Sequence, residues 1–142
     1  METARLGIIL DSSVVIEAER QRLDVAQFLR QVTQKVGEME AALCSISVAE
    51  LAHGIHRANT MERRVRRRAF LDQLKATLPI YPITELTAEL VGRIGAEAAN
   101  GGVTIPFDDL LIGACALERG YSVATRNPRH FQEIPGLQLI LL

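Results

Sequence analysis

The chain has 142 residues, of which 48% are hydrophobic and 23% charged, and its formal net charge is −1. This length and composition predict one globular domain over residues 1–142 and exclude a disordered chain. The longest apolar run, 110–117, is too short to span a bilayer. The first residues carry no export signal, and the isolated Cys44 and Cys115 are typical of buried thiols in a reducing compartment. We therefore expect a cytoplasmic protein with no membrane partner, and neither a disulfide scaffold nor a zinc ribbon.

Short apolar runs alternate with helical patterns along the chain, and this order predicts a parallel sheet covered by helices on both faces. The proline in the run at 80–83 favours an edge strand or a strand end. In chain order we predict a strand at 6–10, a short helix at 14–16, a helix at 24–36, a strand at 41–45, a helix from Ser47, an arginine-rich helix closed by Pro79, a strand at 80–83, a helix at 85–99, a helix from Phe107 or Asp108 to Leu117, and strands at 121–124 and 137–142.

The small net charge conceals an uneven distribution. Residues 57–75 contain seven basic and two acidic side chains, so this segment carries +5 and the remainder of the chain −6. The segment is either a solvated helix face or a surface that binds RNA or a protein partner. If Val65 and Phe70 mark the buried side of this helix, Arg63, Arg64 and Arg67 point away from it and are the candidate binding residues.

Acidic and amide side chains stand where predicted strands pass into helices. Asp11 follows the first strand, Glu50 lies in the first turn after the second strand, and Asp108 and Asp109 open a later helix. Asn127 follows the fourth strand. Each residue taken alone is explained by helix capping or by compensation of the helix dipole. Parallel strands, however, end at one edge of the sheet, where ligands bind in open α/β folds, so these side chains are expected to meet there.

Clustered carboxylates repel one another unless a cation lies between them. Oxygen ligands without Cys or His favour hard cations, so the sequence predicts a Mg²⁺ or Mn²⁺ site. Such an ion, on a domain with a basic helix, points to phosphodiester hydrolysis.

Five segments, taken together, resemble the PIN-domain ribonucleases, specifically the VapC-type toxins of bacterial toxin–antitoxin pairs. The resemblance implies a PIN-like α/β/α sandwich with a central parallel sheet of about five strands, dependence on Mg²⁺ or Mn²⁺, and a homodimer. It also implies cleavage of structured RNA, such as tRNA or rRNA, and inhibition by a VapB-type antitoxin. The segments, in order, are LDSSVVI (10–16), SISVAELAHG (45–54), FDDLLIGA (107–114), ATRNPRHF (124–131) and IPGL (134–137).

Carried over by position, the resemblance assigns the metal-binding carboxylates to Asp11, Glu50 and Asp109. The fourth catalytic position is an aspartate in many relatives and is Asn127 here, which leaves open whether one or two metal ions bind. The alternative is a catalytically weak PIN-fold module that binds RNA or protein. Ser13 and Thr125 are the candidate hydroxyls that orient the carboxylates.

The adjacent acids Asp108 and Asp109 are expected to differ in role. Neighbouring residues on a helix point about 100° apart, so the two side chains are not expected to face one metal ion together. The assignment of Asp109 to the metal leaves Asp108 as a helix cap.

Overall fold

The structure, a computed structural model, describes residues 6–142. Helices and strands alternate along most of the chain, as the sequence predicts. The elements are β1 (Gly7–Leu10), α1 (Ser12–Arg20), α2 (Val25–Val36), β2 (Glu40–Cys44), α3 (Ser45–Arg57), α4 (Met61–Thr77), β3 (Ile80–Tyr81), α5 (Glu85–Asn100), α6 (Phe107–Arg119), β4 (Ser122–Thr125), a short 3₁₀ helix (Phe131–Glu133) and β5 (Leu139–Leu141).

All five strands are parallel and form one sheet in the order β3-β2-β1-β4-β5. The first strand is central and fully buried, which explains its uninterrupted apolar sequence. Its side chains alternate between two cores: Ile8 and Leu10 pack with α1, α2 and α4, whereas Ile9 packs with α5 and α6. The result is a three-layer α/β/α sandwich, which confirms the predicted fold class. β3 is at the edge, as the proline in its segment predicts.

Local sequence signals set several of the element ends. Asp24 and Gln27 form a reciprocal capping box at the start of α2, with hydrogen bonds of 2.7 and 2.9 Å. Gly120 adopts a left-handed conformation after α6, where a residue with a β-carbon is disfavoured. The short helix predicted at 14–16 is longer, Ser12–Arg20, because α1 continues to pack against the sheet with Val14, Val15 and Ala18.

The predicted buried side of the arginine-rich helix is confirmed at Phe70 and wrong at Val65. Val65 is 59% exposed, whereas α4 buries Phe70, Leu71 and Leu74 near its C-terminal end. The N-terminal half of α4 therefore lies further from the core than its apolar residues suggest. Cys44 and Cys115 are buried free thiols, as expected. No helix of the described chain is long and apolar enough to cross a membrane.

Candidate active site

A groove runs along the edge of the sheet at which the strands end. Asp11 reaches it from the end of β1, Glu50 from the second turn of α3, and Asp108 and Asp109 from the first turn of α6. The segment 126–130, which follows β4, also lines the groove. The parallel sheet thus brings together the three carboxylates that the sequence assigns to a metal, and it places Asn127 beside them.

Asp11 is held at the base of the groove by two strands. Its backbone N–H donates to the carbonyl oxygen of Ala124 on β4 at 2.9 Å, and only 6% of the residue is exposed. Ser13 Oγ and Thr125 Oγ1 both donate to Oδ2 of Asp11, at 2.7 and 2.8 Å. Oδ1 receives no hydrogen bond from the described residues, so one carboxylate oxygen is oriented and available for a ligand.

Glu50 lies on the α3 side of the groove. Ser12 Oγ donates to its Oε1 at 3.2 Å, and the carboxyl group of Asp108 is its neighbour in the groove. Burial, followed by the Asp108 carboxylate, raises the pKa of Glu50 from 4.5 to about 7. Glu50 is therefore a carboxyl group that holds its proton near neutral pH unless a cation stabilises the charged form.

Asp109 has a similarly perturbed environment. Burial raises its pKa from 3.8 to about 6, and the negative charges of Asp108 and Asp11 add to the rise. The positive charge of His130 opposes it. The charge of Asp11 thus acts on Asp109 within the groove, and the two carboxylates are close enough to interact.

The expectation that Asp108 is a helix cap is wrong. Pro106 is the N-cap residue of α6, and Asp108 is the second residue of the helix. Asp108 and Asp109 both line the groove, and both lie in the first turn of α6. Near a helix end, two neighbouring side chains can reach one space in spite of their 100° separation.

The β4 side of the groove is tied to the Asp11 cluster through the backbone. The N–H of Asn127 donates to Thr125 Oγ1 at 2.9 Å, and the N–H of Arg126 donates to Ser13 Oγ at 3.2 Å. These bonds fix the start of the loop while the Asn127 side chain is exposed in the groove. An amide oxygen is thereby offered where an aspartate would add a further negative charge.

Sequence reasoning did not assign a site role to several groove residues. Ser12 is the hydroxyl donor to Glu50, and Asp108 is its carboxyl partner. Arg126 pairs with Glu17 at 3.4 Å, while Arg129 and His130 line the same groove. The position of residues 126–130 directly after a predicted strand was the available signal, because such loops end at the ligand-binding edge.

The candidate donor atoms of the groove are all oxygens, but they are widely spaced. In residues 6–142, no three or more His, Cys, Asp or Glu side chains are drawn together tightly enough to hold one. The chemistry of the groove nevertheless fits a hard divalent cation, since its donors are carboxylate and amide oxygens. Burial, and after it the neighbouring acids, raise the pKa values of Glu50 and Asp109, and a bound cation would offset both effects.

The candidate arginines of α4 make bonds within the chain. Arg63 donates to Asn59 Oδ1 at 3.1 Å, and Arg64 donates to the carbonyl oxygen of Ala58 at 3.3 Å. Arg67 is half-buried and donates to the carbonyl oxygen of Gly54 at 2.8 Å. None of the three lines the groove, so a binding role for them concerns a separate surface.

Comparison with known proteins agrees with this architecture. The PIN domain family model matches residues 8–137. Ribonuclease VapC1 from Rickettsia felis is 29% identical over 135 residues, which cover 95% of this chain and 96% of the relative. The tRNA(fMet)-specific endonuclease VapC from Salmonella typhimurium is 30% identical over 98 residues, covering 68% of this chain and 71% of the relative.

Solved structures give the same result for the fold. The crystal structure of VapBC2 from Rickettsia felis bound to a promoter DNA fragment matches with a TM-score of 0.81, at 22% identity over 95% of this chain and 98% of that one. FitAcB from Neisseria gonorrhoeae matches with a TM-score of 0.75, at 25% identity over 94% and 96% of the two chains. The class of protein is defined by a parallel α/β/α sandwich with acidic side chains at the edge where the strands end. The chain belongs to the PIN-domain family and, within it, to the VapC type.

Proposed function

We propose that the chain is a VapC-type endoribonuclease that depends on Mg²⁺ or Mn²⁺ and hydrolyses phosphodiester bonds in structured RNA. The observation that carries this proposal is the convergence of Asp11, Glu50 and Asp109 on one groove from three separate segments. A purely structural role for these buried or partly buried carboxylates is unfavourable, because burial, and after it the charges of neighbouring acids, raise the pKa values of Glu50 and Asp109. A bound cation would offset both costs.

The mechanism assigns each residue a role toward that cation and the RNA. Asp11, Glu50 and Asp109 would hold the divalent ion, and Asn127 would assist through its amide oxygen. A bound Mg²⁺ or Mn²⁺ supplies an activated water and neutralises charge that develops on the phosphate. Ser13 and Thr125 position the Asp11 carboxylate through their hydrogen bonds to its Oδ2. Ser12 positions Glu50 in the same way.

The relatives support a toxin–antitoxin role. Solved neighbours include VapBC complexes, and one relative is named for cleavage of tRNA(fMet). We extend to this chain a VapB-type antitoxin as its inhibitor, structured RNA such as tRNA or rRNA as its substrate, and a homodimer as its assembly. The single domain proposed over residues 1–142 would act in the cytoplasm.

Asn127 supports one alternative. An amide in place of a fourth carboxylate weakens cation binding, so the groove is also compatible with a catalytically weak module that binds RNA or protein. The two functions differ in one measurable property: only the nuclease cleaves RNA when a divalent ion is supplied.

The test uses the purified chain with initiator tRNA and bulk rRNA as probes. Cleavage is expected in Mg²⁺ or Mn²⁺, none in EDTA, and restoration when the ion is returned in excess. Asp109→Asn is expected to abolish cleavage, whereas Glu97→Gln, which neutralises an exposed carboxylate on α5, is expected to retain it. Undiminished cleavage in EDTA would refute the metal-dependent mechanism, and binding without any cleavage would favour the module.

The toxin role is tested separately from the chemistry. Co-expression with the small protein encoded next to this chain's gene is expected to give a tight, inactive complex. Recovery of a freely active nuclease from that co-expression contradicts the antitoxin proposal and leaves the nuclease proposal intact.

A further inference from the structure

Most guanidinium groups of the arginine-rich helix α4 bind carboxylate or carbonyl oxygens of the same chain. The half-buried Arg66 pairs with Glu19 at 2.8 Å, and this bond ties α4 to α1. Arg68 pairs with Asp72 on the same helix at 3.1 Å. A guanidinium that already binds a carboxylate or a carbonyl has fewer donors for RNA, and releasing Arg66 would leave the buried Glu19 without its closest partner. The conspicuous basic segment is therefore, in large part, a structural feature.

Arg129 is different in both position and bonding. It is exposed, it lines the acidic groove in the segment after β4, and it forms no ion pair or hydrogen bond with the described residues. Arg126, three residues earlier in the same segment, is partly neutralised by Glu17 at 3.4 Å. The full charge and all five N–H donors of Arg129 thus remain available beside the carboxylates that define the site.

An RNA strand that enters this groove meets an unfavourable field. The groove contains four acidic side chains, and the phosphates of RNA are also negative, so the two repel each other. The four acids are Asp11, Glu50, Asp108 and Asp109. One divalent ion does not offset four carboxylates, so the strand requires protein cations on the same surface. A guanidinium is suited to this because it binds two phosphate oxygens through parallel hydrogen bonds.

We propose that Arg129 is the principal phosphate-binding residue of the groove, and that it holds a backbone phosphate of the RNA next to the bond to be cut. This inference rests on the proposed nuclease function and deepens it by assigning substrate binding to the loop after β4. The arginines of α4 are then not the main substrate contact. Arg129 binds substrate, and the chemical step remains with the carboxylates.

Salt-dependent binding distinguishes these two surfaces. A fluorescein-labelled 20-nucleotide RNA hairpin serves as the probe, since phosphate contacts do not depend on base sequence. All proteins carry Asp109→Asn, to prevent cleavage, and binding is measured by polarisation in Mg²⁺ between 50 and 300 mM KCl. The variants are Arg129→Gln, Arg129→Lys, Arg63→Gln for the α4 surface, and Arg93→Gln as the charge-matched control. Arg93 is also exposed and unpaired within residues 6–142, but it lies on α5 away from the groove.

We expect Arg129→Gln to lower the slope of log affinity against log salt by about 0.7–0.9, the value for one lost phosphate contact. Arg129→Lys should retain the salt slope, because the positive charge remains. It should bind the RNA more weakly, because a lysine cannot form the two parallel hydrogen bonds of a guanidinium. Arg63→Gln and Arg93→Gln should match the background protein. With Asp109 intact, Arg129→Gln should raise KM several-fold at nearly unchanged kcat, the pattern of lost uniform binding. An unchanged melting temperature would exclude misfolding.

Equal effects of Arg129→Gln and Arg93→Gln would overturn the proposal, because the effect would then reflect net charge alone. A slope change in Arg63→Gln without one in Arg129→Gln would also overturn it and return RNA binding to α4. A loss in kcat without a rise in KM would assign Arg129 to another role. Failure of the proposed function is recognised independently, since the wild-type chain would then cleave no RNA in Mg²⁺ or Mn²⁺.

Discussion

Thr125 Oγ1 donates a 2.8 Å hydrogen bond to Oδ2 of Asp11, and the contact joins the ends of two adjacent strands. The same hydroxyl oxygen accepts from the backbone N–H of Asn127 at 2.9 Å. One buried threonine therefore orients the first carboxylate of the site and fixes the loop that carries the amide. The two sides of the groove are coupled through this single side chain.

Thr125→Val is expected to remove both bonds with little change in shape. We expect a loss of about 1 kcal/mol in the free energy of unfolding, because the partly buried N–H of Asn127 loses its acceptor and Asp11 loses a donor. Affinity for Mn²⁺ and the rate of RNA cleavage should fall roughly 10–100-fold, the usual cost of losing a group that orients a ligand. Calorimetry measures the free energy of unfolding and the Mn²⁺ affinity, and a cleavage assay measures the rate. Thr33→Val, on an exposed face of α2, is the matched control, and equal losses in both variants would contradict the assignment.

Glu50 makes metal-free stability depend on pH. Its pKa is raised in the folded state from 4.5 to about 7, so the folded chain binds more protons than the unfolded chain between these values. Stability in EDTA should therefore fall as the pH rises from about 4.5 to about 7. Glu50→Gln should abolish this component and raise stability at pH 8 by about 1 kcal/mol, or roughly 4 °C in Tm. A lower Tm for Glu50→Gln in EDTA at pH 8 would contradict the account.

The stabilisation of the protein by added metal should increase with pH, whereas the stability of the metal-free protein should decrease. The carboxylates bind a cation in their charged form, so Mg²⁺ or Mn²⁺ competes with the protons on Glu50 and Asp109. The rise in Tm on adding 5 mM Mn²⁺ should be larger at pH 8 than at pH 5. Differential scanning fluorimetry measures it, and Asp109→Asn should reduce the rise. Equal shifts at both pH values would argue against a carboxylate site.

Asp108 is expected to influence Glu50 through charge rather than to cap α6. Asp108→Asn should lower the pKa of Glu50 toward 4.5, because the carboxylate of Asp108 is the largest cause of the rise after burial. An NMR titration of the Glu50 side chain in EDTA follows this change. Glu97→Gln, remote on α5, should leave the Glu50 titration unchanged. A loss of helix stability with no change in the Glu50 titration would restore the capping role to Asp108.

Asn127→Asp is expected to add a carboxylate at the fourth position of the groove. The added negative charge should tighten Mn²⁺ binding. The variant also tests whether the amide of Asn127 limits the site to one ion. Isothermal titration calorimetry gives the stoichiometry: one ion for the native chain and either one tighter ion or two for the variant. Weaker binding in Asn127→Asp would show that the exposed side chain does not face the ion.

Much of the fold was determined by local sequence. The apolar run of β1 predicts a central buried strand, and helical spacing predicts the helix at 24–36, because each signal acts within a few residues. The order of strands and helices predicts a parallel sheet. A parallel sheet aligns its carboxyl ends, so the positions of Asp11 and Glu50 predict their meeting at one edge.

Other features were decided only by the tertiary structure, because they depend on what surrounds a side chain. Val65 is exposed and Arg67 is bound because the packing of α4 on α1 and α3 sets which face is covered, and short-range periodicity contains no such information. Asp108 acts on Glu50 because the first turn of α6 and the helix α3 line the same groove. Arg129 gains its importance from the carboxylates that line this groove with it, which come from distant parts of the chain. The sequence by itself therefore determined the architecture and the acids of the site, whereas contacts between distant segments decided which neighbouring charges act on them.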